Sequence, residues 1–227
     1  MLHKTEGLVL RYVKYGESSI VVTIYTEKFG VSTFIVNGVR STKSKGKIAL
    51  YQPMNLLDLV VYQKEGRDIN RISEVKSLSP LNSIRGDIRK SSIAIFLSEV
   101  LNKCLKEESA NEILFHFLKT SVLQLEHLEA NFQNFHLVFL LMFSKYLGFA
   151  PMSADDIATD ITGYSRPIDR EHLIYLNQLI KSDQENTPDL KQKERADLLE
   201  IIIHFYRSHI EISELKSVEI LHTVLNQ

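Results

Sequence analysis

Between residues 8 and 75 the apolar positions come in short runs separated by polar, glycine-bearing stretches. Leu8–Val13, Ile20–Thr26, Val31–Val36, Leu56–Tyr62 and Asp68–Val75 are five such runs. They are rich in β-branched and aromatic residues, which fit a pleated surface. Six of the nine glycines fall in the first 80 residues: Gly7, Gly16, Gly30, Gly38, Gly46 and Gly66. Glu27-Lys28-Phe29-Gly30 and Lys64-Glu65-Gly66 read as turns between strands. Five short strands in so little chain predict a small barrel or curled sheet.

Ser79-Pro80 closes that pattern and a helical period follows. Ile93, Phe96, Leu97, Val100, Leu101, Cys104 and Leu105 line one face of a helix, and Leu114, Phe117, Leu118, Val122, Leu125 and Leu128 line another. Residues 132–147 are apolar nearly all round, as a buried central helix would be. Gly148-Phe149-Ala150-Pro151 ends it by the Gly-then-Pro rule. Further helices are expected from a cap at Asp169 to about Ile180, around Leu198–Tyr206, and from Ile212 to Leu225. Ser153–Pro167 reads as polar and irregular, and residues 182–195 as a loop or an exposed helix start. The fold class is therefore α+β in two domains, a barrel over residues 1–80 and an all-α helical domain over residues 81–227.

Composition adds little until it is divided. The 227 residues carry a formal net charge of −1. Residues 1–80 hold 12 Lys and Arg against 7 Asp and Glu, a net of +5; residues 81–227 hold 15 against 21, a net of −6. The first half tolerates a polyanion and the second does not. One cysteine, Cys104, excludes an intramolecular disulfide and a cysteine-based zinc site. No signal-like N-terminus is present, and the longest apolar run, Leu137–Phe143, is too short to span a bilayer. The expectation is a cytoplasmic protein without membrane contact.

Catalytic constellations are missing. There is no H-E-x-x-H, and His204 and His209 lie five apart, off a common helix face. Asp155, Asp156 and Asp160 form an acidic cluster that reads as a solvated loop with a capping role, a magnesium site being the alternative. Gly38–Lys47 fails as a phosphate loop, since Ser41 and Ile48 stand where glycine and Ser or Thr are required. Gly163-Tyr164-Ser165-Arg166-Pro167 lacks the last glycine of a nucleophile elbow, and Cys104 falls on an apolar helix face. We expect no enzyme activity, no metal and no cofactor.

One segment stands out chemically. Arg40, Lys43, Lys45 and Lys47 alternate with Ser41, Thr42, Ser44 and Gly46, small residues that let backbone approach phosphate. Arg11, Lys14, Tyr12, Tyr15, Tyr25 and Phe34 lie on the neighbouring strands. Cations for the backbone and rings for the bases are what single-strand binding by a small barrel uses, although Tyr25 and Phe34 fit a core equally well. The other reading of the barrel is a protein-interaction adaptor that binds a peptide or protein partner.

The landmarks Thr5-Glu6-Gly7-Leu8-Val9-Leu10, Tyr15-Gly16-Glu17-Ser18-Ser19, Gly38-Val39-Arg40, Lys43-Ser44-Lys45, Leu50-Tyr51-Gln52-Pro53 and Leu147-Gly148-Phe149-Ala150-Pro151 come in an order that resembles the RecO family of bacterial DNA repair and recombination mediators. The resemblance implies an N-terminal OB-fold and binding of single- and double-stranded DNA. It implies strand annealing, and loading of the RecA recombinase onto coated single strands together with a RecR-type partner. It also implies contact with the C-terminal tail of the single-strand DNA-binding protein through the helical domain, and nucleoid association on DNA. Arg40, Lys43 and Lys45 match the family's basic loop; Lys47, Arg11 and Lys14 are added on charge and position. Many members carry a four-cysteine zinc site after the Gly-x-x-Pro landmark, whereas residues 152–167 here contain no cysteine.

Overall fold

The computed structural model describes residues 1–227 apart from 42–43, 45, 64–67, 106–108, 162–166, 185 and 226–227. Five strands form where the apolar runs predict them: β1 (Leu2–Tyr15), β2 (Ser19–Thr26), β3 (Gly30–Val36), β4 (Leu56–Tyr62) and β5 (Ile69–Ser77). They close into a barrel in the order β1-β2-β3-β5-β4, with β3 and β5 parallel and the other pairs antiparallel. The period-2 alternation sorts the side chains. Val9, Ile20, Val22, Ile24, Phe34, Leu57, Leu59 and Val61 fill the interior. A short 3-10 helix, Lys47–Tyr51, plugs the barrel with Ile48, Leu50 and Tyr51, beside Val39. Burial pushes the Tyr51 hydroxyl up to about 12. The turn read at Lys64-Glu65-Gly66 lies outside the described residues.

Eight helices follow among the described residues: α1 (Asn82–Gly86), α2 (Ile88–Cys104), α3 (Glu112–His127), α4 (Phe135–Tyr146), α5 (Ala154–Asp160), α6 (Arg170–Lys181), α7 (Gln192–His209) and α8 (Ser217–Leu225). The central helix α4 is buried through Phe135, Phe139 and Phe143. It ends in a Schellman motif: Gly148 takes φ 87°, Gly148 N donates to Lys145 O and Phe149 N to Ser144 O. Asp169 caps α6 as expected, accepting from His172 N at 2.9 Å.

Three elements depart from the periodicity. Ser153–Asp160 is not irregular; it is a capped helix, α5, with Asp156 Oδ2 accepting from Met152 N and Ser153 N. Only Ala154 and Ile157 are buried in it, too few to show a period. α1 is equally short, buries only Ile84, and lies where the sequence predicts no helix of its own. α8 begins at Ser217, later than Ile212, because the Glu99 carboxylate of α2 takes the amides of Lys216 and Ser217 and fixes its start.

The outer barrel face turned toward the helices is apolar. Leu8, Leu10, Tyr25, Met54 and Leu56 join one continuous core with Phe96, Leu97 and Phe115. Tyr25 stacks on Phe115 with ring centroids 6.5 Å apart, and Lys119 Nζ pairs with Glu6 at 2.5 Å. No described helix is long and apolar enough to cross a membrane.

Candidate nucleic-acid interface

The barrel strands carry two outer zones. Toward one end, Leu8, Leu10 and Tyr25 are covered by helices. Farther along, the same strands leave the helical domain, and their outward side chains are half-buried or exposed. A bulge between Val9 and Arg11 makes the change on β1, turning Leu10 onto the helices while Arg11 emerges into solvent.

Register places the outward residues in two cross-strand rows. Val13, Val21, Ile35 and Arg71 form one; Arg11, Thr23, Thr33 and Ile69 form the other. Tyr62 of β4 pairs with Arg71 and continues the first row. The wall is thus apolar and hydroxylic in the middle, with exposed arginines at opposite edges. A cleft of about 640 Å³ opens at the Arg71 edge, bounded by Met1, Ile35, Tyr62 and Ile69. Lys14 is exposed beside the β1–β2 turn.

The basic segment meets that turn. Arg40 N donates to Ser18 O at 2.9 Å, and its Nη1 to Gly16 O and Ser19 O at 3.2 and 3.4 Å. Ser19 Oγ donates to Asn37 Oδ1 at 3.1 Å. Ser41 Oγ folds back on Gly38 O at 2.8 Å. Lys47 is exposed at the start of the 3-10 helix. Lys43 and Lys45 lie outside the described residues. Arg40 therefore spends one edge of its guanidinium as a tie between the segment and the β1–β2 turn. The structure brings Arg40 to the β1–β2 turn; Arg11 stands farther along β1, across from Thr23.

The aromatics divide cleanly. Tyr25 and Phe34 are fully buried and belong to the core. Tyr12 is half-buried against the barrel interior. Tyr15 is 57% exposed and Tyr62 51%, so these two are the aromatics of the group that reach solvent. Charge and motif do not point to Arg71 or Tyr62; the signal that could have found Arg71 is the alternation that puts it on the same outward face as Ile69.

The acidic cluster makes local contacts. Asp156 is occupied as a helix cap, and the amides of Met152 and Ser153 hold its carboxyl below the usual range. Asp160 pairs with His209 at 3.2 Å. Among the described residues no group of three His, Cys, Asp or Glu side chains is arranged to hold a metal.

Two family models match. The one described as Recombination protein O N terminal covers residues 1–81, and the one described as Recombination protein O C terminal covers residues 85–219. The chain is 36% identical over 240 residues to the DNA repair protein RecO of Bacteroides fragilis, covering 97% of this chain and 98% of that one. It is 33% identical to the Flavobacterium psychrophilum protein of the same name over 236 residues, covering 98% and 99%. To the Azobacteroides pseudotrichonymphae protein it is 31% identical over 242 residues and the full length of both.

Proposed function

Because this chain belongs to the RecO family of DNA repair proteins, we propose that it is a non-enzymatic recombination mediator that grips DNA through its barrel. Residues 1–80 act as the DNA-binding unit and residues 81–227 as the unit that meets protein partners. Arg40, Lys43, Lys45 and Lys47, with Arg11 and Lys14, neutralise phosphates of single- or double-stranded DNA. Such contacts read charge and not sequence, which suits a protein that must anneal arbitrary strands. Tyr15 and Tyr62 offer rings on which unpaired bases can stack.

The observation that carries this reading is the tie between the basic segment and the β1–β2 turn. It holds Arg40 at the turn that exposed Lys14 adjoins, at the end of the barrel away from the helices, and this supports the reading. The acidic balance of the helical half disfavours DNA there and leaves it for proteins. A RecR-type partner, the tail of the single-strand DNA-binding protein and the loading of RecA are proposed on kinship alone.

Charge reversal at Lys43, Lys45 and Lys47 together tests the site. We expect affinity for a single-stranded oligonucleotide to fall by more than tenfold. The dependence of log affinity on log salt should flatten by about 0.7 for each phosphate no longer neutralised. Unchanged affinity and slope would remove the segment from the interface. The exposed apolar cleft at Met1, Tyr62 and Ile69 favours a second reading, in which the barrel docks a protein. Partner capture that survives nuclease treatment and needs Tyr62 would support it.

A further inference from the structure

The basic segment is rooted at both ends, and its second root reaches the helical domain. Asn55, just before β4, is 4% exposed. Its Nδ2 donates to Ala49 O at 2.7 Å and to Leu50 O at 2.9 Å, and its Oδ1 accepts from Arg85 Nη2 at 2.9 Å. The amide orientation is fixed by chemistry: reversed, it would set an oxygen against two carbonyls and an NH2 against a guanidinium. Asn55 is held by its backbone as well, with Asn55 N donating to Gln52 O and Asn55 O accepting from Val9 N.

Arg85 belongs to α1, and α1 is itself clamped. Glu126 of α3 accepts from Ser83 N at 2.8 Å through one carboxylate oxygen and from Ile84 N at 2.9 Å through the other. A hydrogen-bonded chain therefore runs from α3 through α1 and Asn55 to the 3-10 helix that begins at Lys47. At the other end Arg40 fixes the segment to the barrel.

We propose that Asn55 and Arg85 are positioning residues for DNA binding, through which the helical domain holds the 3-10 helix that carries Lys47. The proposal rests on the DNA-binding reading above. A cation carried on a short helix held in this way loses less conformational freedom on meeting phosphate than one on an untied chain. Removing Arg85 leaves the buried Oδ1 of Asn55 without its donor and cuts the link from α1 to the second root. Arg85 touches no phosphate in this scheme, so its loss weakens binding without changing the number of counterions released.

The test uses the full chain and a fluorescent single-stranded oligonucleotide titrated over a salt series, with thermal unfolding of each variant as the check on folding. Arg85→Gln and Asn55→Ser are each expected to weaken binding roughly three- to tenfold, the worth of about one hydrogen bond, with the parent's salt slope. Arg85→Lys, which can still donate to Asn55 Oδ1, is expected to restore most of the affinity. A slope shallower by about 0.7 in Arg85→Gln would make Arg85 a direct phosphate contact and overturn the positioning role. So would unchanged affinity in both variants while Lys47→Glu weakens binding; the DNA-binding reading would then stand without the relay. Unchanged affinity in all three, Lys47→Glu included, would take down the reading itself and the relay with it. Should Asn55→Ser lose its thermal transition, the Arg85 pair decides alone, since the Arg85 side chain is exposed and its replacement leaves the barrel core intact.

Discussion

At the residue scale, Gly7 has no room for a side chain. A Cβ there would lie 2.6 Å from Ile24 Cγ2 and 3.0 Å from Leu59 Cδ1, both in the barrel interior. Gly7→Ala should lower stability by about 1–3 kcal/mol, the usual cost of overpacking a closed core, read as a lower urea midpoint with an unchanged denaturant slope. His136 is the other residue with a clear physical signature. It is 1% exposed, lies edge-on to Phe96, and its Nδ1 has no hydrogen-bond partner among the described residues. Burial, then the nearby charges of Arg195 and His222, push its pKa down to about 3. The unfolded chain takes up a proton near pH 6.5 that the folded ring refuses, so this contribution to stability is full above 6.5 and fades as pH falls toward 3. His136→Leu should therefore show a smaller loss of urea midpoint between pH 7 and pH 5 than the parent. An equal loss would place the acid sensitivity elsewhere.

At the element scale, α1 depends on its neighbour. Five residues cannot sustain a helix alone, and the N-terminal amides of α1, on Ser83 and Ile84, donate to the Glu126 carboxylate. Glu126→Ala should destabilise the protein by about 1.5–3 kcal/mol, as loss of a charged acceptor from two amides does, and chemical denaturation measures it directly. The same dependence explains what the sequence could and could not disclose. The five strands were legible from their short apolar runs, α2, α3 and α7 from a repeated apolar face, α4 from its continuous apolar stretch and α6 from the cap at Asp169. α1 and α5 were not, because caps hold them and few of their side chains enter the core. Tyr25 shows the limit on the barrel: alternation puts it outside, and packing against the helices, Phe115 of α3 among them, buries it. At the site, charge pointed to Arg40 and Lys47, but the use of Arg40 as a tie to Gly16 and Ser19 is a tertiary fact. Asn55 and Arg85 stand 30 residues apart, and no local pattern links them.

At the scale of the whole molecule, the helix-facing side of the barrel shares one core with the helices while the charges of the two halves separate, +5 against −6. Rigid attachment of an acidic body to a basic wall orients the molecule in the field of a polyanion, with the bare barrel face inward. The proposed role of this face is to bind DNA by neutralising phosphate. It is tested most directly by equilibrium binding of the full chain to a fluorescent single-stranded oligonucleotide as salt is raised. Phosphate neutralisation predicts binding at low salt, little preference among sequences, and a slope of log affinity against log salt of about −2 to −4, the release expected from a small cluster of cations. Absence of binding at low salt, or binding indifferent to salt, would contradict it.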